Sequence, residues 1–378
     1  MHVRRYKMNI LKSSSPIRLI AFFLVAVMLI CSFGFSVDGW SFKDTENNTA
    51  GVGSDTNMPS NSPGNDSEDK KPVNKEPEIY IPKYINYITG LETSEALSET
   101  KPVAVVMNSK DAGYSLSYAD LLAEFPVEDG STRFMALITD FSSAGKIGSV
   151  AKTRGYISNL ASYFGANIVS YGNDDGVFYD SCNVSESHFD LSEHSGYHYS
   201  EFTQYQYTNS DLLLAGLKNS SLTSKRSEKE LPYIFNEFGK SHVSTDTKVQ
   251  NISIAFSDSS STELIYNENS SEYLLYKNGE IKKDLLNDES LIFTNCLVLF
   301  ADSVTYENPN GEQMVMNTVS GGVGYYMTHG TISGFTWSAD LDGNMTFLNN
   351  SGAKLTVNRG NTYIAFVKSS KMQSVTFK

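Results

Sequence analysis

The chain has 378 residues, of which 40% are hydrophobic and 12% aromatic, and its formal net charge is −13. At roughly 100–200 residues per domain it has room for two domains and a tail, and it is apolar enough to bury a core. The acidic balance excludes duplex nucleic acid as the expected partner, because phosphate recognition needs a basic face. It also disfavours broad adhesion to anionic lipid or anionic wall polymer, and no dense Lys/Arg run marks a local basic patch in the folded region.

Residues 1–37 read as a signal peptide or signal anchor. Arg4, Arg5, Lys7, Lys12 and Arg18 precede or open the apolar run IRLIAFFLVAVMLICSFGFSV (17–37), which carries no charge after Arg18. A basic segment followed by such a run is an export signal, and about 20 apolar residues suffice to span a bilayer. Three fates compete: retention as an anchor, cleavage after Ser36 with Gly34 and Ser36 as the small residues, or lipid attachment at Cys31, where Ile30 occupies the place of the usual small residue. Residues 38–78 are polar and almost free of large apolar side chains, which is the composition of a flexible spacer. The expected location is therefore the extracytoplasmic face of the cell membrane, or secretion if the chain is cut after Ser36. Cys182 and Cys296, one in each half of the folded chain, make neither a disulfide framework nor a metal-ligand cluster.

Residues 79–231 are expected to form an α/β domain. Lys101 to Lys110 is a buried strand, with Val103, Val105, Val106 and Met107 at its centre. Ser117 is expected to cap a short helix, with Asp120 three residues on as in a capping box. Phe125–Glu128 and Arg133–Thr139 flank Asp129-Gly130, a pair suited to a type I′ hairpin turn. Tyr156, Ile157, Leu160, Ala161 and Phe164 recur at helical spacing, Gly165 stops that helix, and Ala166–Tyr171 is the next strand.

Residues 232–378 show short apolar runs separated by turn signals such as Lys277-Asn278-Gly279 and Asp342-Gly343-Asn344. That spacing predicts a mostly antiparallel β-sandwich or barrel. The fold class expected for the whole is α+β, with the α/β domain followed by the β domain. Ser320-Gly321-Gly322 and Gly324 read as a bulge, a close backbone approach or a ligand contact, or as a turn before a strand.

Several stretches carry a resemblance. They are PVAVVMNSK (102–110), YADLLAEFPVEDGSTRFMALI (118–138), KIGSV (146–150) with Arg154, and GANIVSYGNDD (165–175), then SGGVGYYMTHGTISGFTW (320–337) and TVNRGNTYIAFV (356–367). They resemble the N- and C-terminal domains of the YerB-like lipoprotein family. Two departures stand out: Ala151 where the family pattern has an arginine, and Gln204-Tyr205 where it has His-Asn ahead of Tyr207-Thr208. The resemblance implies an exported, membrane-anchored envelope protein and supplies no reaction.

The candidate site is the loop GNDDGVFYD, 172–180, beyond the carboxyl end of a predicted strand, where open sheets bind ligands. Asn173, Asp174, Asp175 and Asp180 are hard oxygen donors for Ca²⁺ or Mg²⁺, although their spacing fits no EF-hand and a solvated turn is the simpler explanation. Arg154 at a helix start suits a carboxylate or phosphate ligand, or a structural ion pair. Glu124, Glu128 and Arg133 place charges at the same sheet end, or pair across the hairpin. Tyr207 belongs to the tyrosine-rich stretch Ser195–Thr208, suited to a sugar ring, a protein partner or a packed loop. His188, His194 and His198 raise a zinc reading, with Ser195-Gly196 set against the helix it needs. A Cys182 nucleophile lacks a local group to lower its pKa. No phosphate loop, nucleophile elbow or dinucleotide fingerprint occurs, and no cofactor is expected. The first reading is a non-enzymatic binding or accessory module for an envelope protein or wall glycan. The second is a metal-assisted hydrolase acting through 172–180.

Overall fold

A computed structural model describes residues 79–378 apart from 111–112, 174–186, 202–203, 244–246, 309–310 and 341. In the first half, strand β1 (Val103–Asn108) is buried along nearly its whole length, as its unbroken apolar run requires. β2 (Leu121–Pro126) and β3 (Thr132–Ile138) pair antiparallel from Leu121↔Leu137 to Pro126↔Thr132. β4 (Lys146–Val150) leads to the helix Gly155–Tyr163, whose apolar face has the expected spacing and which stops before Gly165 at φ +65°. β5 (Asn167–Ser170), β6 (His188–Asp190), β7 (Tyr199–Glu201), β8 (Tyr205–Asn209) and the helix Ser210–Asn219 complete this half.

Two local expectations are corrected. The Asp129-Gly130 hairpin forms, but only Gly130 has positive φ, and Gly130 N donates to Val127 O. The loop is therefore a three-residue turn ending in a left-handed glycine. Ser117 caps no helix: its hydroxyl and amide both donate to the buried Asp284 carboxylate. The stretch is a single 3-10 turn, Leu116–Tyr118, and β2 begins just beyond it. Asp120 accepts instead from Asn86 Nδ2 at 2.9 Å and Thr139 N at 2.8 Å.

The second half does not close a separate antiparallel sandwich. Asn251–Ser257, Ser260–Asn267 and Glu272–Lys277 form an antiparallel meander, with Val375–Phe377 on its outer edge. Asn295–Ala301 and Thr362–Lys368, however, pair in parallel with each other. Thr362–Lys368 also pairs in parallel with β2, from Leu121↔Thr362 to Glu124↔Ala365. The result, among the described residues, is one mixed sheet of 14 strands running across the boundary expected at 231–232. The chain is thus mostly β, with few helices.

Alternation along the strands gives the main sheet two buried faces. Val103, Val105, Phe134, Leu122, Val298 and Ala365 face the meander's Ile252, Leu264 and Leu275. Ala104, Val106, Leu121, Met135, Leu299 and Phe366 face the helix Gly155–Tyr163 together with Tyr233, Trp337 and Phe347. The glycines at 321–324 serve this packing. A Cβ on Gly324 would lie 2.6 Å from both the Phe335 ring and the Val298 carbonyl oxygen. Gly324→Ala is therefore expected to destabilise the fold by about 1–3 kcal/mol through overpacking, read as a lower midpoint in urea unfolding. A midpoint equal to that of the parent would refute the packing role.

Candidate functional site

Glu124 lies two residues after Leu122 on β2 and so points toward the meander, where it is fully buried. Four side chains meet its carboxylate. Lys277 Nζ donates at 2.5 Å, Thr132 Oγ1 at 2.5 Å, Thr262 Oγ1 at 2.8 Å and Tyr363 OH at 2.5 Å. Lys277, only 7% exposed, also donates to Ser260 Oγ at 2.9 Å and Thr262 Oγ1 at 3.2 Å. Burial alone would raise the Glu124 pKa. The Lys277 charge and the hydrogen bonds outweigh it and hold the carboxyl below its ordinary value. Each member comes from a different element: β2, β3, two strands of the meander, and Thr362–Lys368.

Above this network opens a polar cavity of about 330 Å³, lined by Asn108, Ser109, Thr132, Arg133, Ser260 and Lys277 among others. The Ser109 hydroxyl is fixed by Thr132 O at 2.9 Å and Thr132 Oγ1 at 2.5 Å. A second cavity of about 540 Å³ shares Lys110, Lys277 and Asn278 with the first, and adds Lys282 and Lys283. Lys282 Nζ donates to Ser109 O at 3.1 Å, joining the two rims. Together the cavities make a groove with five cationic side chains, Lys110, Arg133, Lys277, Lys282 and Lys283, against Asp129, Glu280 and Asp288. Arg133 Nε is buried without a hydrogen bond among the described residues. Burial and the neighbouring Arg154 hold the Arg133 pKa below its ordinary value.

Of the residues singled out from the sequence, Arg133 lines the groove and Glu124 lies beneath it, and the others fall elsewhere. Arg154 is the N-cap residue of the helix Gly155–Tyr163 and is 6% exposed. Its guanidinium grips Glu128 through Nε at 3.2 Å and through Nη2, and its Nη1 donates to Thr153 O at 2.9 Å. It is thus committed to the structural ion pair, which anchors the β2–β3 turn beside the groove. Asn173 Nδ2 donates to Asp190 Oδ2 at 3.3 Å. Asp174, Asp175 and Asp180 lie outside the described residues, as do Cys182 and the whole N-terminal segment. Tyr207 is buried on β8, with Lys146 Nζ 4.1 Å from its ring centroid and Tyr114 edge-on at 5.8 Å. Arg154 and Tyr207 therefore belong to separate clusters.

The three histidines take different partners. His188 Nε2 lies 2.7 Å from Ser170 Oγ, His194 stacks on Phe189 at 4.7 Å, and His198 Nδ1 meets Gln206 Oε1 at 3.0 Å. Among the described residues no three His, Cys, Asp or Glu side chains are placed to hold a metal ion. Cys296 is buried in the core, and burial pushes its thiol well above the ordinary value. Glu124 is no exposed cross-strand partner but the centre of the buried network.

Arg133 is the one groove cation singled out from the sequence as a site charge, and the groove as a whole is hidden in the sequence because its cations come from four separate stretches. The available signal was the polar clustering at strand ends: NSK at 108–110, SSS at 259–261, KNG at 277–279 and KKD at 282–284.

Two family models match the chain. A protein of unknown function (DUF3048) N-terminal domain covers residues 88–223, and a DUF3048 C-terminal domain covers 252–364. A curated relative from Bacillus subtilis (strain 168), named "Putative lipoprotein YerB", is 22% identical over 266 residues, spanning 66% of this chain and 76% of its own length. The crystal structure of YerB protein from Bacillus subtilis superposes with a TM-score of 0.66 at 20% identity, over 78% of this chain and 100% of that one. At that identity the likeness is one of fold.

Two expectations follow for stability. Glu124→Gln or Lys277→Met alone should cost about 3–5 kcal/mol, because each leaves a buried polar group unpartnered. The double variant Glu124→Gln/Lys277→Met should cost clearly less than the sum in urea unfolding. Strict additivity would show that the pair is not coupled. The second expectation concerns pH. Burial pushes the Asp120 carboxyl up to about 6, so its contribution to stability is full below about pH 4 and is lost as pH rises through 6. Burial pushes His188 down to about 4, which has the opposite slope: stability is lost as pH falls from about 6.5 toward 4. The two offset one another. Asp120→Asn should leave the His188 slope exposed, so that stability climbs from pH 4 to 6.5 by roughly 2–3 kcal/mol more than in the parent. Parallel pH profiles for the two proteins would refute the Asp120 assignment.

Proposed function

The chain belongs to the DUF3048 family of proteins of unknown function, and on that premise we propose that it is a membrane-tethered, extracytoplasmic binding module whose ligand site is the groove over Glu124 and Lys277. One observation carries the reading. Residues from both family regions, 88–223 and 252–364, meet in a single polar cavity over a fully satisfied buried ion pair. Rigid, prepaid hydrogen bonding of this kind holds side chains in place for recognition. The basic segment and apolar run of residues 1–37, and the lipoprotein name of the Bacillus relative, support tethering on the outer face. The polar composition of residues 38–78 suits a spacer between the apolar run and the folded part. The partner is a wall glycan or an envelope protein.

The test is retention. Full-length protein in detergent, passed over purified sacculi, is expected to bind, and Lys110→Glu combined with Lys283→Glu, at more exposed positions of the groove, should lower retention at least tenfold. Equal retention of parent and variant would refute the groove, and release of soluble sugar would favour the hydrolytic reading instead. In intact cells the chain should fractionate with membranes and be cut by added protease. Loss of membrane association in Cys31→Ala would assign the tether to lipid at that cysteine, whereas unchanged association would assign it to the apolar run.

A further inference from the structure

We propose that the groove takes an anionic polyol chain, a polymer with repeated negative charges and free hydroxyls, in preference to a neutral glycan strand. This rests on the binding reading above and adds the chemistry of the ligand. Three observations carry it.

The first is shape. The two cavities of about 330 and 540 Å³ share Lys110, Lys277 and Asn278, so they form one continuous trough that admits more than one repeat unit of a chain. The second is charge. On a chain whose net charge is −13, Arg133 stands at one end, Lys110 and Lys282 at the junction, where Lys282 Nζ reaches Ser109 O, and Lys283 at the other end. Lys277 and Lys283 are already paired with Glu124 and Asp288, and Asp129 and Glu280 also line the trough. Cations spread along a trough match anions repeated along a chain, and the guanidinium fork suits a carboxylate or phosphate. The third is the lining. Between the cations stand Ser109, Ser131, Ser259, Asn108 and Asn278, donors and acceptors for ligand hydroxyls. The described lining of both cavities contains no aromatic side chain, and so offers no stacking platform for a neutral sugar ring.

The experiment titrates labelled full-length protein in detergent with three probes of equal length: a glycerol phosphate oligomer, an oligogalacturonate and chitohexaose. Binding of either anionic probe is expected, weakening about tenfold between 50 and 200 mM salt if two anions are engaged. Which anionic probe binds identifies the anion as phosphodiester or carboxylate. Lys110→Glu, a reversal at an exposed position, should weaken that binding at least tenfold while the thermal midpoint stays put. Lys282→Glu serves as an independent second reversal. Chitohexaose binding as well as the anionic probes would overturn this inference and leave the binding module standing. No binding by any probe, with sacculi still retained, would also overturn it, and no binding to probes or sacculi would overturn both readings. Anionic binding indifferent to both reversals would remove the groove as the site.

Discussion

A single carboxylate holds the architecture in register. Glu124 sits between the main sheet and the meander and accepts from Lys277, Thr132, Thr262 and Tyr363. The parallel seam between β2 and Thr362–Lys368 is short, four residue pairs. A one-residue slip in that seam would turn Tyr363 to the opposite face and leave the carboxylate buried without that donor. Apolar packing alone would tolerate such a slip more readily, because apart from Glu124 and the ends of Thr362–Lys368 both faces of these strands are largely apolar. The polar network specifies which strands meet and where, and the large hydrophobic faces supply the stabilisation.

Much of the fold was legible in the residues. The strand at Val103–Asn108, the helix Gly155–Tyr163 with its glycine stop, and β5 fall where periodicity and punctuation put them. Most strands of the second half also coincide with its apolar runs. What the sequence hid was the assignment of strands to sheets. Glu272–Lys277 alternates buried and half-buried, as a strand with one covered face should. Asn295–Ala301 and Thr362–Lys368 are buried almost throughout, and their unbroken apolar character is the mark of a strand covered on both faces. That contrast was present in the residues, but which partner covers such a strand depends on contacts between distant parts of the chain.

The site was less legible, for a related reason. The dense motifs of the chain are an acidic loop, three histidines and a tyrosine-rich stretch. The structure ties Arg154 to Glu128 and Tyr207 to Lys146, which are contacts that build the scaffold. The groove instead draws one or two residues from each of several strand ends, and only folding sums their charges. Ser117 illustrates the same effect on a small scale: its spacing to Asp120 imitates a helix cap, yet its true acceptor, Asp284, is 167 residues away.

The position of Tyr363 has a bearing on how this protein is made. Glu124 and Tyr363 are 239 residues apart, and the strand carrying Tyr363 lies between β2 and Asn295–Ala301 in the sheet. A chain that crosses a membrane amino end first delivers β1, β2 and β3 long before the strand that completes them. Until then β2 presents a bare, apolar edge and a carboxylate without its lysine, the conditions under which nascent chains pair with one another. For a chain delivered in that direction, completion of the main sheet beside β2 waits on Thr362–Lys368.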